Sequence, residues 1–471
     1  MTITPYEHYQ DSNILWIDKY PSHWTLTRVK YEAYVKARVG WHGLKSDDFT
    51  DEGPYLVTGS DFIGPKIKWQ NCYHCDLPRY EQDPYIQLKN GDLLITKDGT
   101  IGKVALVDNL KTDDKATLNS GVFVVRPLAD NFTTKFYFWL LQSSVFKTFV
   151  DFNKTGSTIV HLYQDTFVNF SYASPEIKEQ TQIAAFLDHE TAKIDTLIEK
   201  QQQLIELLKE KRQAVISHAV TKGLSPQAPM KDSGVEWLGE VPDHWDVLRL
   251  KHLIQSLESG CSVNAADIPA KDNEIGVLKT SCVYTRQFRV EENKTVILDD
   301  LSRVKCPIRK GAIIISRMNT PELVGASALV DVEAENIYLP DRLWQTIFND
   351  DYAINSEYLA HFMTVTGFRN QISLAAEGAS SSMQNIAKED YLAINTLLPS
   401  LNEQLNIVEY LRLTTDKFDE LVNKANTAIN LMQERRTALI SAAVTGKIDV
   451  RNWIAPTTSS DATEVQQEVS V

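Results

Sequence analysis

Two stretches decide the architecture: EQTQIAAFLDHETAKIDTLIEK, from Glu179 to Lys200, and EQLNIVEYLRLTTDKFDELVNK, from Glu403 to Lys424. Both open on Glu-Gln and share a T-x-K-[IF]-D core, Thr191 to Asp195 against Thr415 to Asp419. The likeness runs on through KRQAVISHAVTKG from Lys211 and RRTALISAAVTGK from Arg435, at one constant offset of 224 residues. Steps of 3 and 4 from Ile183 give Leu187, Glu190, Ile194, Leu197, Gln201, Leu204 and Leu208, mostly apolar; from Ile407 they give Leu411, Thr414, Phe418, Leu421, Ala425 and Ala428. No Pro or Gly falls between Lys178 and Lys222, while Pro175 and Pro399 precede the two patterns and Gly223 and Gly446 end them. A seam with a 3.5-residue period held over several heptads predicts a coiled coil.

Upstream of each helix the chain repeats as well. DSNILWIDKYPSHWTLTRVK begins at Asp11 and DSGVEWLGEVPDHWDVLRLK at Asp232, aligned at an offset of 221. LKNGDLLITK from Leu88 matches IRKGAIIISR from Ile308: a Gly turn, an apolar β-rich run, then a base, Lys97 or Arg317. A period this long exceeds the roughly 20–50 residues of a solenoid unit and marks a duplicated domain plus helix. The layout predicted is a first mixed α/β domain at 1–175, containing the shared segment 11–30. A helix at 176–223, a second domain at 224–400 and a second helix at 401–448 follow, with a disordered acidic tail at 449–471. Phe136 to Phe149 and Tyr358 to Ile372 each read as a short amphipathic helix.

The chain has 471 residues and a net charge of -14, which argues against coating nucleic acid or anionic membrane by bulk charge. The first residues lack a secretory pattern, apolar runs are too short for a bilayer, and five cysteines are too sparse for a disulfide framework. These features predict a soluble, cytoplasmic protein. Catalytic signatures are missing: Gly99 to Lys103 is too short for a Walker A loop, and no GxGxxG helix start, HExxH or GxSxG occurs. Cys72-x-x-Cys75 is half of a zinc site and reads as structural. Asp165 followed by Glu176-Ile177-Lys178 has the order of a Mg²⁺-dependent nuclease. The second copy has Ser400 and Asn402 there instead, and Glu176 suits a helix N-terminus.

The charge is unevenly placed. Block by block, the chain carries -2 over 1–175, -1 over 176–223, -8 over 224–400, zero over 401–448 and -3 in the tail. Within the most acidic block, residues 279–317 hold nine bases and four acids. Such a patch fits phosphate positioning, with Arg forks suited to guanine and Asn or Gln to adenine. The candidate DNA contacts are Lys66, Lys68, Lys97, Arg286, Arg289, Arg303 and Arg317. Two matched polar loops add Thr155, Ser157 and Thr158 and Ser380 and Ser381, with His161 and Gln384 just beyond them.

Taken together, the paired D-S-x-[IV]-x-W…P-x-H-W segments, the G-x-[LI]-[LI]-I-[TS]-[KR] strands and the two helices resemble the specificity subunit of type I restriction–modification systems, over about residues 11–448. The resemblance implies two target recognition domains, each reading half of a bipartite DNA sequence. The two helices would pack as an antiparallel coiled-coil spacer in a pseudo-twofold frame. It implies two modification subunits, which methylate adenine with S-adenosylmethionine, and restriction subunits that use ATP and Mg²⁺. No catalysis and no cofactor or metal are implied for this chain, nor any membrane contact. Two other readings stay open: a metal-dependent nuclease using Asp165, Glu176 and Lys178, and a coiled-coil scaffold that never touches DNA.

Overall fold

The computed structural model describes residues 4–38, 48–129, 132–153, 161–380 and 383–455. It is mixed α/β and divides into two compact units: residues 1–201 with 426–471, and residues 202–425. Each long helix therefore contributes one half to each unit. Among the described residues, no helix is long and apolar enough to cross a membrane.

In the first unit, β1 (Ala33–Ala37), β2 (Leu93–Thr96), β3 (Val104–Leu106) and β4 (Val122–Pro127) form an antiparallel sheet in the order β3-β2-β4-β1. The second unit builds the same sheet from β5 (Ile254–Ser259), β6 (Ile313–Ser316), β7 (Ser327–Leu329) and β8 (Leu343–Phe348), in the matching order β7-β6-β8-β5. The apolar runs explain why these strands are central. Leu93 and Ile95 face a large core shared with the helices, while Leu94 faces a smaller second core. Ile313 and Ile315, against Ile314, divide in the same way. A strand buried on both faces needs a continuous apolar run rather than alternation.

The two short helices expected between sheet and spacer are each two helices. Thr134–Leu140 gives way to Ser144–Phe152, and Ser356–Phe362 to Thr366–Ala375. In the first unit Ser143 makes the break: its Oγ donates to the Leu140 carbonyl and accepts from the Phe146 N–H, ending one helix and capping the next.

The long helices span Ile177–Lys222 and Leu401–Val444. In the first unit, Ile183, Phe186 and Leu187 of one share a core with Ile440, Ala443 and Val444 of the other, and Asp195 meets Arg436. In the second, Ile216, Ala219 and Val220 meet Ile407, Val408 and Leu411, and Arg212 meets Asp419. Rising numbers meet falling ones in both units, so the pairing is antiparallel. Three of the expected seam positions, Leu197, Leu204 and Leu421, are exposed, and their neighbours Ile198, Ile205 and Val422 are buried or half-buried instead, whereas Ile183, Leu187, Ile194, Ile407, Leu411, Phe418 and Ala425 are buried as expected. Two adjacent apolar residues satisfy the same heptad count, and packing chose the branched Ile and Val.

The shared motifs become legible as a clamp. Glu179, at the start of the first long helix, accepts from Trp24 Nε1 (3.0 Å) and the Tyr6 hydroxyl (2.6 Å) and meets His23 Nε2 at 2.9 Å. Glu403 takes His244 Nε2 (2.7 Å) and Trp245 Nε1 (3.3 Å) in the same way. The neighbouring glutamines are fully buried: Gln180 accepts from the Thr133 N–H at 2.9 Å and Gln404 from the Asn355 N–H at 2.7 Å. The opposite helix ends close the same clamps. Gly446 has φ 71° and a Cβ there would lie 2.4 Å from Pro21, with Trp24 beyond; Gly223, φ 78°, lies against Trp245 and Pro242. In the first unit the Asp449 N–H also donates to the Thr4 carbonyl at 2.8 Å.

Candidate DNA interface

At the end of β2 the chain turns through Lys97-Asp98-Gly99. The Lys97 carbonyl accepts from the Leu162 N–H at 2.9 Å, and Asp98 forms a backbone bridge with His161. The His161 Nδ1 lies 2.6 Å from Asp98 Oδ1. Lys97 Nζ lies 4.0 Å from Asp98 Oδ2 and 5.6 Å above the Phe123 ring. The strand-end base and the segment after the polar loop are thus one locus, tied by backbone.

The second unit repeats the tie. The Arg317 carbonyl accepts from the Ile386 N–H at 3.1 Å, and Met318–Asn319 pairs antiparallel with Met383–Asn385, Asn319 opposite Gln384. Here Arg317 Nε and Gln384 Oε1 are both enclosed without a hydrogen-bond partner. Buried polar groups are normally paired, so these two are exceptions within one strand-end locus. Asn319, buried alongside, donates to the Tyr284 hydroxyl at 2.7 Å. One fold position therefore carries Lys-Asp-His in one unit and Arg-Asn-Gln in the other.

The remaining candidates are distributed differently. Lys66 and Lys68 are exposed on and beside a two-strand ribbon, Phe62–Ile63 with Lys66–Ile67. Phe62 and Gly64 of that ribbon line a cavity of about 780 Å³ with Gly99 to Lys103 of the turn after Lys97, so ribbon and turn share one concavity. Arg289 faces Glu292 at 3.3 Å, Arg303 faces Asp300 at 2.9 Å, and Arg286 Nη1 donates to Gln213 Oε1 at 3.1 Å. Lys279 and Lys294 both lean on Asp267, and Arg309 pairs with Glu258. Asp267 and Glu258 lie outside residues 279–317, so the surplus counted along the sequence is partly neutralised in space. Thr155, Ser157, Thr158 and Ser381 lie outside the described residues; Ser380 ends the strand Glu377–Ser380.

Sequence reasoning missed Asp98 and Asn319. A count of bases passes over an acid, and the only signal for either was its place one or two residues after a matched strand-end base. Glu176 and Lys178 line a shallow concavity with His23, Thr27 and Glu32, and Asp165 is not part of that lining. The Cys72 thiol, pushed up to about 12 by burial and by neighbouring Asp61, is a protonated buried thiol, and burial raises Cys75 as well. Among the described residues, no three His, Cys, Asp or Glu side chains gather as metal ligands.

Comparison with known proteins places these features. Residues 44–207 match the family described as the type I restriction modification DNA specificity domain. The specificity subunit of the type I restriction enzyme EcoKI from Escherichia coli strain K12 is 26% identical over 329 residues, 67% of this chain and 65% of that protein. The EcoEI specificity subunit from Escherichia coli is 23% identical over 244 residues, 51% of this chain and 40% of that protein. The chain is thus matched over less than two thirds of either relative's length. A solved structure from work on complex assembly and conformational transition of the type I R-M system shares the fold, with a TM-score of 0.65 and 15% identity over 91% of this chain and 99% of that one. Residues 44–207 thus match a type I restriction modification DNA specificity domain, and these curated relatives, at 23–26% identity, are specificity subunits of type I restriction enzymes.

Proposed function

We propose that this chain is the non-catalytic DNA-recognition subunit of a type I restriction–modification complex, each unit reading one half of a bipartite, asymmetric target. The carrying observation is the repeated tie of a strand-end base to the segment after the polar loop, Lys97 with His161 and Arg317 with Gln384, furnished with different chemistry. Phosphate contacts position a protein and base-edge contacts specify sequence. Lys66 and Lys68 suit the first role. Arg317 and Gln384 suit the second, as a guanidinium for guanine and an amide for adenine, with Lys97 and His161 in the first unit. Thr155, Ser157, Thr158, Ser380 and Ser381 would contact a phosphate or the groove edge, and Arg289 and Arg303 would support the lobe.

The helices serve as a ruler in this reading. A helix of 46 residues is about 69 Å long at ~1.5 Å per residue, which sets a fixed unread spacer between half-sites. The paired clamps give two equivalent frames on which two modification subunits would dock, supplying adenine methylation with S-adenosylmethionine. Restriction subunits would add ATP- and Mg²⁺-dependent chemistry, and the work would take place on cytoplasmic DNA.

The test is methylome sequencing of a host expressing this chain with its modification subunit. The expected result is one methylated bipartite motif, of which replacing residues 241–399 by another subunit's domain changes a single half. Loss of neither half, or of both, would overturn the modular reading. Mg²⁺-dependent cleavage of DNA by the isolated chain would instead favour the nuclease.

A further inference from the structure

The second unit groups three guanidinium ions, of which its own carboxylates reach only Arg212, and that loosely. Arg286 Nη1 donates to the Thr364 carbonyl (3.2 Å) and to Gln213 Oε1 (3.1 Å), and Gln213 Nε2 donates to the same Thr364 carbonyl at 2.9 Å. Arg212 is the helix neighbour of Gln213. Arg369 lies on the helix that starts just past Thr364, with Nη2 on the Val324 carbonyl at 2.6 Å. Neutral acceptors hold Arg286 and Arg369. Arg212 has only Asp419, 3.5 Å from its Nε, too long for a good hydrogen bond. Arg212 Nε and Arg369 Nη1 are enclosed without hydrogen-bond partners. Burial and the neighbouring arginine together lower the affinity of Arg286 and of Arg369 for their protons, as expected when like charges are held close.

Two further observations point to a ligand rather than to packing. Arg286 has φ 63°, a left-handed backbone unfavourable for a non-glycine residue that persists where the surrounding structure holds it. The equivalent place in the first unit is built differently: Arg436, 224 residues after Arg212, is held by both oxygens of Asp195 and stacks on Trp139, so its charge is already engaged.

We propose that Arg212, Arg286 and Arg369 form a clamp for a DNA backbone phosphate, present in the second unit only; this rests on the DNA-recognition reading above. A phosphate oxygen would accept from the free guanidinium N–H groups and offset the mutual repulsion. The clamp joins the recognition lobe, through Arg286, to the spacer helix, through Arg212. It would thus fix where the backbone passes without reading a base.

The experiment measures binding of the full-length chain to a labelled random-sequence duplex of about 40 base pairs across a salt series. For Arg286→Gln, the slope of log K against log salt should fall by about 1, with the preferred motif in a selection from random DNA unchanged. Arg286→Lys, which keeps the charge, should retain the slope. An unchanged slope in Arg286→Gln would overturn the clamp, as would an equal loss in Arg286→Lys, which would mean packing rather than charge. If the wild-type chain binds no duplex at low salt and selects no motif, the DNA-recognition reading itself fails.

Discussion

Arg436 holds Asp195 with two bonds, Nε to Oδ1 at 2.8 Å and Nη2 to Oδ2 at 3.3 Å, and its repeat counterpart Arg212 reaches Asp419 only at 3.5 Å. The same two residue types at the same two helix positions thus form a forked pair in one unit and a loose one in the other. Arg436 also stacks on Trp139 at 5.7 Å, whereas Arg212 lies near Arg286. Arg436→Ala should therefore cost about 1 kcal/mol, from a partly exposed pair plus a cation–π contact, and Arg212→Ala close to nothing. Urea titration of both variants would check the difference; equal losses would show that the forked geometry adds nothing.

Glu179 and Glu403 make a second comparison. Glu179 is 8% exposed and serves Tyr6, His23 and Trp24, while Glu403 serves His244 and Trp245 and is more open. Glu179→Ala would strand a buried indole N–H and a buried hydroxyl, at about 1–3 kcal/mol each. Its expected cost is about 3 kcal/mol, against about 1–2 kcal/mol for Glu403→Ala. Denaturant midpoints that rank the two in reverse would contradict the clamp as drawn.

His361 gives the fold a pH dependence. Burial pushes it down to about 4, with Arg212 and Arg412 acting in the same direction and Glu357 against. Its unfolded value is near 6.5, so between those limits the unfolded chain binds a proton that the folded chain refuses. Stability from this group is complete above about pH 6.5 and is lost as pH falls toward 4, on the order of 3 kcal/mol in all. His361→Gln should flatten the stability profile in that window; an unchanged slope would assign it to other groups.

Base readout should separate by unit. Arg317→Ala or Gln384→Ala should relax one half of the methylated motif, each lost bidentate contact being worth about 1–3 kcal/mol of discrimination. Lys97→Ala should act on the other half only. Methylome sequencing of each variant reads this directly, and relaxation of the same half by Lys97→Ala and Arg317→Ala would refute the division.

The duplication, the sheet strands and the long helices were legible because they rest on local patterns: an apolar run after a Gly turn, and a heptad count without Pro or Gly. The phase midway along the helices was not, since Leu197 and Ile198 are equally apolar and only packing tells them apart. The broken helix at Ser143 was hidden because a serine reads alike as a surface residue and as a cap. At the candidate interface, matched bases were visible at Lys97 and Arg317. Their ties to Leu162 and Ile386 were not, because a backbone bond between residues more than 60 apart leaves no mark in composition. The basic stretch at 279–317 misled in part, since Asp267 and Glu258 come from elsewhere to meet it.

The contact between Thr4 and Asp449 bears on how such a chain is built. Trp24 receives the start of the first long helix and the end of the second, and Trp245 receives the start of the second and the end of the first. The Thr4–Asp449 bridge adds a backbone bond beside the first of these joints. Each tryptophan thus gathers the start of one long helix and the end of the other, so a change in the length of either helix would be felt at both tryptophans.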